Sequence, residues 1–194
     1  MAVLAAGLSR RFGPDDKLMA PLDGRPLCDH IACTAAEFDA EVKIAICSPA
    51  SAPTGVFAMH EFEVIENPHS ETGLSSSLKL AVGRAVAHGL DGLVICLADM
   101  PFVTLAHLDS LRGSWLESGC SRSIASRASG SDSRPCPPAI FSAGAFRDLL
   151  ATSGDAGARA LIAQAATVEI NASCLSDFDR PDDFRDLGAK AQGL

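Results

Sequence analysis

Leu93-Val94-Ile95-Cys96-Leu97 is an uninterrupted apolar run, and the turn-like stretch Asp99-Met100-Pro101 follows one residue later. Because no polar residue alternates with the apolar ones, the run predicts a central strand that is covered on both faces of a sheet. Similar short runs recur at residues 2–5, 42–47, 63–65, 123–126 and 168–170. Helix-like segments alternate with these runs, which is the pattern of βαβ units. The sequence therefore predicts an α/β fold with a mainly parallel sheet.

The segments between the strands carry their own signals. Helices are predicted at 75–87, 105–117, 143–150, 157–165 and, as a short last helix, 182–189. Ser75 and Thr104 are the expected N-caps of the first two helices, since a hydroxyl there accepts from a free backbone N–H. Residues 127–138 are polar and then rich in proline, so we expect an exposed, mobile loop. No stretch is long enough to act as a linker, which predicts one domain over residues 1–194.

Composition and charge exclude several classes of protein. Of the 194 residues, 47% are hydrophobic and 21% are charged, which suits one sizeable core and not a disordered chain. The net charge is −8, from 16 Lys and Arg against 24 Asp and Glu. This excess of acid argues against a broad basic face for nucleic acid and against a polybasic membrane-binding surface. A small anionic ligand held by a few local donors and a metal is compatible with it.

The cysteines and the first residues of the sequence indicate the cellular compartment of the protein. The seven cysteines are an odd number without a CxxC pair, and Cys47 and Cys96 lie in apolar runs, where cysteine acts as a small hydrophobe. We therefore expect a reducing environment and no disulfide framework. The first apolar run is too short for a signal peptide, and Arg10 and Arg11 follow it instead of preceding it. The protein is expected to be cytoplasmic, with neither nucleic acid nor a membrane as partner.

The densest group of candidate binding residues follows the first apolar run. Between Leu4 and Lys17 lie Gly7, Gly13, a serine and two arginines. In open α/β sheets, ligands bind beyond the C-terminal ends of strands, and small residues there let backbone N–H groups approach phosphate. The spacing matches neither the Walker A loop nor the dinucleotide fingerprint. The loop predicts phosphate binding through Arg11 and Lys17, with a glycine turn and solvated charges as the alternative.

Two further segments follow predicted strands. Asp99 comes directly after the central strand, where it is placed to coordinate Mg²⁺ over a triphosphate or, alternatively, to open the turn before Pro101. After Asn67, Gly73 and three serines open a helix, and their N–H and O–H groups are donors for a base or a phosphate. Ordinary helix capping is the alternative for these serines.

The last third of the chain contains two weaker signals. Asp177 and Asp179 are candidates for a second metal ligand, and the sequence leaves the choice between them open. Asp182 and Asp183 read as acids that complement a helix N-terminus. Arg159 stands in the first turn of a predicted helix, against the helix dipole, which indicates a nearby anion. A solvated surface arginine is an equal alternative.

Taken in order, these segments resemble the MobA/MocA-like nucleotidyltransferases, which include the molybdopterin cytidylyl- and guanylyltransferases. The resemblance covers nearly the whole chain, and the first loop together with the stretch at residues 97–101 is its most specific part. The positions that match the family loop are Leu4, Ala5, Ala6, Gly7, Ser9, Arg11, Gly13 and Lys17.

The resemblance implies a three-layer, Rossmann-like nucleotidyltransferase fold whose sheet is mixed but mainly parallel. It also implies Mg²⁺ as cofactor and the transfer of a nucleoside monophosphate from a nucleoside triphosphate, with release of pyrophosphate. Ala-Ala-Gly at residues 5–7 looks like the cytidylyl branch, which favours CTP. Molybdopterin is the acceptor it suggests, with a molybdoenzyme as client. Many molybdopterin cytidylyltransferases carry Gly-His-Pro where this chain has Cys136-Pro137-Pro138, which leaves the acceptor open.

The resemblance also assigns roles to residues. Arg11 and Lys17 are expected to hold the triphosphate, and Asp99, with Asp179 or Asp177, the metal. The nucleotide is expected to contact Leu4, Ala5, Ala6, Gly7, Ser9, Gly13, Asn67, Gly73, Ser75, Ser76 and Ser77. The acceptor is expected to contact Arg134, Asp155 and Arg159. A sugar-phosphate or polyol-phosphate cytidylyltransferase is the alternative enzyme, and a non-catalytic protein that binds the molybdenum cofactor is the alternative from another class.

Overall fold

One mixed sheet forms the centre of the protein, whose computed structural model describes residues 1–7, 12, 15–49, 51–130, 133–154, 158–179 and 183–184. Its strands are β1 (Ala2–Ala5), β2 (Ile44–Cys47), β3 (Glu63–Glu66), β4 (Gly92–Leu97), β5 (Ile124–Ala128), β6 (Cys136–Ser142) and β7 (Ala166–Ile170). They lie in the order β3-β2-β1-β4-β6-β5-β7. Among these strands only β6 runs against the others, since it pairs antiparallel with both β4 and β5. The predicted α/β fold with a mainly parallel sheet is confirmed.

Helices cover both faces of the sheet. Those of the described residues are α1 (Leu27–Glu37), α2 (Pro53–Met59), α3 (Leu74–Ala87), α4 (Leu105–Glu117), α5 (Phe146–Ala151) and α6 (Arg159–Ile162). One apolar core holds α1, α2 and α4 against the sheet, and a second core holds α3, α5 and α6 on the other face. Val94 and Cys96 point into the first core, and Leu93 and Ile95 into the second. β4 is therefore the central strand, covered on both faces, that its apolar run predicts.

Several helix predictions change in the structure. α1 and α2 are not predicted, because neither begins with a side-chain cap and their stability comes from packing against the sheet. Ser75 is wrong as a cap: α3 begins after Gly73, whose φ is 103°, and Ser75 lies buried in the first turn. Thr104 is confirmed, since its hydroxyl accepts from the His107 backbone N–H.

The remaining helix predictions differ at their ends. The segment predicted at 143–150 begins with a 3₁₀ turn, Ala143–Ala145, and continues as α5. The helix predicted at 157–165 is the shorter α6. Apart from residues 183 and 184, the last predicted helix lies outside the described residues. Within the described part of the chain, no helix has the length and apolar character needed to cross a membrane.

The prediction of a continuous loop over residues 127–138 is wrong. Its first two residues end β5 and its last three begin β6, while residues 131 and 132 lie outside the described part. Prolines are tolerated in β6 because the pairing with β5 shifts register between Ala125 and Ser126. At this irregularity the buried Ser126 hydroxyl donates to the Pro138 carbonyl over 2.6 Å.

His107 of α4 extends this buried polar contact. Its Nε2 lies 2.8 Å from the Ser126 Oγ, and both side chains are buried. Burial lowers the pKa of His107 to about 4. In the unfolded chain the pKa is about 6.5. Between these two pH values, His107 therefore binds a proton in the unfolded chain but not in the folded protein.

We predict that acidification destabilises the protein through His107. As the pH falls from 7 to 4, the free energy of unfolding should lose about 3 kcal/mol through this group, because only the unfolded state takes up the proton. Chemical unfolding of wild type and His107→Gln across this range measures the difference, and His69→Gln at an exposed position is the control. If His107→Gln loses as much stability as wild type on acidification, the prediction fails.

Candidate active site

The candidate site begins where two neighbouring parallel strands end. β1 ends at Ala5 and β4 at Leu97, and the Ala98 N–H extends their ladder by donating to the Leu4 carbonyl over 3.1 Å. The chain segments that leave these strands therefore start side by side. Apart from the chain neighbours of Gly7, no heavy atom of the described residues lies within 4 Å of the position that a Cβ on Gly7 would take, so this part of the chain leaves the backbone there open.

Lys17 joins the two acidic segments of the site. A 3₁₀ turn, Lys17–Met19, carries the lysine, and Asp16 caps that turn by accepting from the Leu18 N–H over 3.0 Å. The Lys17 Nζ donates to Asp99 Oδ2 over 2.7 Å and to Asp179 Oδ1 over 2.8 Å. The lysine side chain is only 10% exposed. Three segments that are distant in sequence thus converge on one ammonium group.

An aromatic anchor holds the second acidic segment in place. Phe178 is buried, and its backbone N–H donates to the Asp99 carbonyl over 3.1 Å. Its ring makes edge contacts with Phe102 and Phe184, at centroid distances of 5.8 and 4.9 Å. Sequence reasoning overlooked Phe178, although a single aromatic residue between two acids is a visible signal of an anchored turn. Its burial sets the acids on either side of it next to Asp99.

Among the described residues of this cluster, acidic side chains outnumber basic ones. Asp99, Asp177 and Asp179 face one ammonium group, and burial together with the Asp99 charge raises the pKa of Asp177. Burial lowers the pKa of Lys17, but the Asp99 charge and the hydrogen bonds to both carboxylates outweigh it and leave that pKa above its ordinary value. Among the described residues, the buried Asp99 Oδ1 has no hydrogen-bond partner. An additional cation would satisfy both the charge and this oxygen.

Protein ligands alone do not complete a metal centre here. Within the described ranges, no group of three or more His, Cys, Asp or Glu side chains is arranged to hold a metal ion, in spite of the three nearby carboxylates. The two carboxylate oxygens on Lys17 nevertheless suit Mg²⁺, which is usually bound by one or two carboxylates, with substrate phosphates and water as the other ligands. The donor set thus fits a magnesium ion that arrives with a phosphate substrate.

The Asn67 segment follows β3 at the same edge of the sheet, and the Asn67 backbone N–H donates to the Cys47 carbonyl at the end of β2 over 2.8 Å. Asn67 is buried, and its Nδ2 donates to the Ser76 and Ser77 hydroxyls over 2.8 and 2.9 Å. Its Oδ1 accepts from the His69 N–H over 3.0 Å. The Ser76 hydroxyl donates in turn to the Gly73 carbonyl. These side chains hold the start of α3 against the end of β3, a structural use that the sequence did not reveal.

We predict that Asn67→Ala lowers the free energy of unfolding by about 2–3 kcal/mol, since it removes three hydrogen bonds in a buried position. Urea unfolding monitored by circular dichroism measures the change. Asn171→Ala is the matched control, because that amide only caps an exposed 3₁₀ turn and its loss should cost about 1 kcal/mol. Equal losses in the two variants would contradict the structural role of Asn67.

An apolar cavity of about 240 Å³ adjoins these segments on the α3 face of the sheet. Leu4, Leu74 and Leu97 line it from β1, the start of α3 and the end of β4. Cys136 of β6 and Arg159 of α6 line it from the other side. The cavity therefore lies between the first half of the chain and the segments for which the sequence predicts an acceptor role. Its apolar character follows from residues that the sequence analysis treated only as strand or helix interior.

The other predicted site residues divide into two groups. Arg134 is exposed and does not line this cavity. Arg127, at the start of the segment predicted as a loop, forms an ion pair with Glu169 at 3.5 Å. Four predicted residues lie outside the described part of the chain: Ser9, Arg11, Gly13 and Asp155.

The fold, with a candidate site at adjoining strand ends, is that of a Rossmann-like α/β protein. The chain belongs to the MobA-like NTP transferase family, whose domain model matches residues 1–169. The resemblance drawn from the sequence is confirmed, and the protein is a nucleotidyltransferase of this family.

Individual relatives agree with this assignment. The purine catabolism protein PucB of Bacillus subtilis (strain 168) is 29% identical over 201 residues, which cover 93% of this chain and 91% of PucB. A probable molybdenum cofactor guanylyltransferase of Haloferax mediterranei is 32% identical over 113 residues, 57% of this chain and 52% of that protein.

A solved structure shows the same architecture. The crystal structure of Rv0371c from Mycobacterium tuberculosis H37Rv superimposes with a TM-score of 0.75 at 25% identity, covering 96% of this chain and 94% of that chain. A manganese complex of the same mycobacterial protein gives a TM-score of 0.68 at 24% identity, with 96% and 95% covered.

Proposed function

We propose that this protein transfers a nucleoside monophosphate, preferentially CMP from CTP, to a phosphorylated acceptor such as molybdopterin and releases pyrophosphate. The observation that carries the proposal is the Lys17 ammonium between Asp99 and Asp179 at the adjoining ends of β1 and β4. A cation and carboxylates in this place suit a triphosphate and its metal. The nucleotide preference rests on residues 5–7, Ala-Ala-Gly, which resemble the cytidylyl branch.

The reaction requires that the acceptor phosphate and the triphosphate are held in position and that their negative charge is neutralised. An oxygen of the acceptor phosphate attacks the α-phosphorus, and the bond from that phosphorus to the bridging oxygen breaks as pyrophosphate leaves. No general base is required, because the acceptor phosphate is already an anion. Lys17 neutralises charge on the triphosphate, as Arg11 does in this proposal, and the open backbone at Gly7 lets N–H groups approach the phosphates.

A divalent metal fits the carboxylates beside Lys17. Asp99 and Asp179 would hold it, with Asp177 next to them, and the unpartnered Asp99 Oδ1 supports this assignment. When bound, Mg²⁺ supplies positive charge to the phosphate oxygens. The structure of the related mycobacterial protein with manganese supports a divalent ion in general.

The acceptor is assigned to the cavity beside Cys136 and Arg159. Its leucine and proline walls suit a flat, weakly polar ring, and the Arg159 guanidinium suits a phosphate. Arg134 does not line the cavity but precedes Pro135, which does, so in this proposal Arg134 contacts a part of the acceptor that extends beyond the cavity. Asp155 is the other proposed acceptor contact. A molybdoenzyme would then be the client that receives the product. A sugar phosphate or polyol phosphate is the alternative acceptor.

Nucleotide binding tests the proposal directly. Calorimetric titration with CTP, GTP, ATP and UTP in Mg²⁺ should give at least one isotherm, with CTP the tightest. The Haloferax relative named as a guanylyltransferase makes GTP the comparison of most interest. If none of the four nucleotides binds, the proposed nucleoside triphosphate substrate is refuted. If GTP binds more tightly than CTP, only the assignment of CTP is overturned.

We predict that Asp99→Asn lowers the transferase rate about 100-fold or more, equivalent to about 3 kcal/mol, while the fold is kept. The amide has nearly the same shape but lacks the charge that would bind the metal and Lys17. Pyrophosphate release with CTP, Mg²⁺ and molybdopterin measures the rate. Asp91→Asn, at the exposed beginning of the same strand, is the control and should behave as wild type. An unchanged kcat and Mg²⁺ dependence in Asp99→Asn would show that Asp99 is only a turn residue.

A further inference from the structure

The Lys17 ammonium occupies the position between the two carboxylates that the proposed function assigns to a metal. Its Nζ contacts Asp99 Oδ2 and Asp179 Oδ1 at 2.7 and 2.8 Å, and the side chain is nearly buried. A divalent ion on the same two oxygens would lie close to the ammonium and be repelled by it. The lysine and a metal therefore compete for these oxygens.

The lysine can leave this position without unfolding the site. Its backbone belongs to a turn that Asp16 caps separately, and the ammonium sits on a flexible four-carbon stem. The acidic segment beyond it is held by Phe178 through its buried ring and its hydrogen bond to the Asp99 carbonyl. Both carboxylates would thus stay in place when the ammonium moves.

Among the described residues of the site, the three acids Asp99, Asp177 and Asp179 outnumber the Lys17 ammonium. A divalent ion carries more charge to these acids than Lys17 does, provided that the lysine finds another anion. A triphosphate is such an anion, because its oxygens accept from an ammonium and also add metal ligands to those of the described residues.

We propose that Lys17 excludes free divalent ions from the site, and that a metal binds there only together with the triphosphate, which draws the ammonium away from Asp99 and Asp179. This inference rests on the proposed nucleotide substrate. It gives Lys17 two successive partners, the carboxylates in the empty protein and the phosphates in the loaded one. A lysine that merely held the two carboxylates together would stabilise the fold but would not set the order of binding.

The test is the affinity for Mn²⁺ in the absence of nucleotide, measured by the electron paramagnetic resonance signal of the free ion. Wild type should bind Mn²⁺ weakly, at about millimolar concentration, and Lys17→Met should bind it about tenfold tighter or more. The double variant Lys17→Met with Asp179→Asn should lose that gain. Lys79→Met, which removes a charge from an exposed position of α3, controls for net charge and should match wild type.

The outcomes separate this inference from the proposed function. Equal Mn²⁺ affinity in wild type and Lys17→Met overturns the inference, whether or not the protein turns out to be a transferase. If nucleotide titrations are flat while Lys17→Met still gains Mn²⁺ affinity, the proposed function fails and the exclusion of metal by Lys17 stands. Lys17→Gln is a second neutral variant in case the methionine is not tolerated. Micromolar Mn²⁺ binding by wild type alone contradicts the inference without any variant.

Discussion

The ion pairs of Lys17 with Asp99 and Asp179 are the contacts on which the site depends. They join residues that are 82 and 162 positions apart in the chain. Burial alone would lower the pKa of Lys17. The Asp99 charge, together with the hydrogen bonds to both carboxylates, outweighs burial and keeps the ammonium charged. In the empty protein, Lys17 and the two carboxylates therefore offset each other's charge at the end of the central strands.

Sheet topology makes this convergence possible. β1 and β4 are parallel neighbours, so the segments after Ala5 and Leu97 leave from the same edge. Ligands of open α/β sheets bind at that edge, since the loops there take no part in the hydrogen bonds between strands. The Phe178 anchor then returns the end of the described chain to this edge and adds Asp177 and Asp179 to it.

The antiparallel strand β6 forms one side of the apolar cavity. Its start brings Cys136 and Pro137 beside the cavity, opposite the leucines of β1, α3 and β4. Pro137 and Pro138 have no backbone N–H to donate to a neighbouring strand. The Ser126 hydroxyl donates to the Pro138 carbonyl and so holds this part of β6 against β5. A nucleotide on one side and an acceptor on the other would share the edge near Asp99, which is the arrangement that a direct transfer between them requires.

The sequence by itself determined the features that depend on local pattern. The apolar run at residues 93–97 predicted the central strand, and the glycine-rich loop with Lys17 and Asp99 predicted which strand ends carry the site, since hydrophobic periodicity and turn residues are read within a few positions. Only the tertiary structure decided that β6 is a strand despite its prolines, that Asn67 takes up the Ser76 and Ser77 side chains, and that Lys17 contacts Asp179. These outcomes depend on which strands and side chains become neighbours in the folded chain. Lys17 and Asp179, for example, are 162 positions apart, and the local pattern around neither residue predicts their contact.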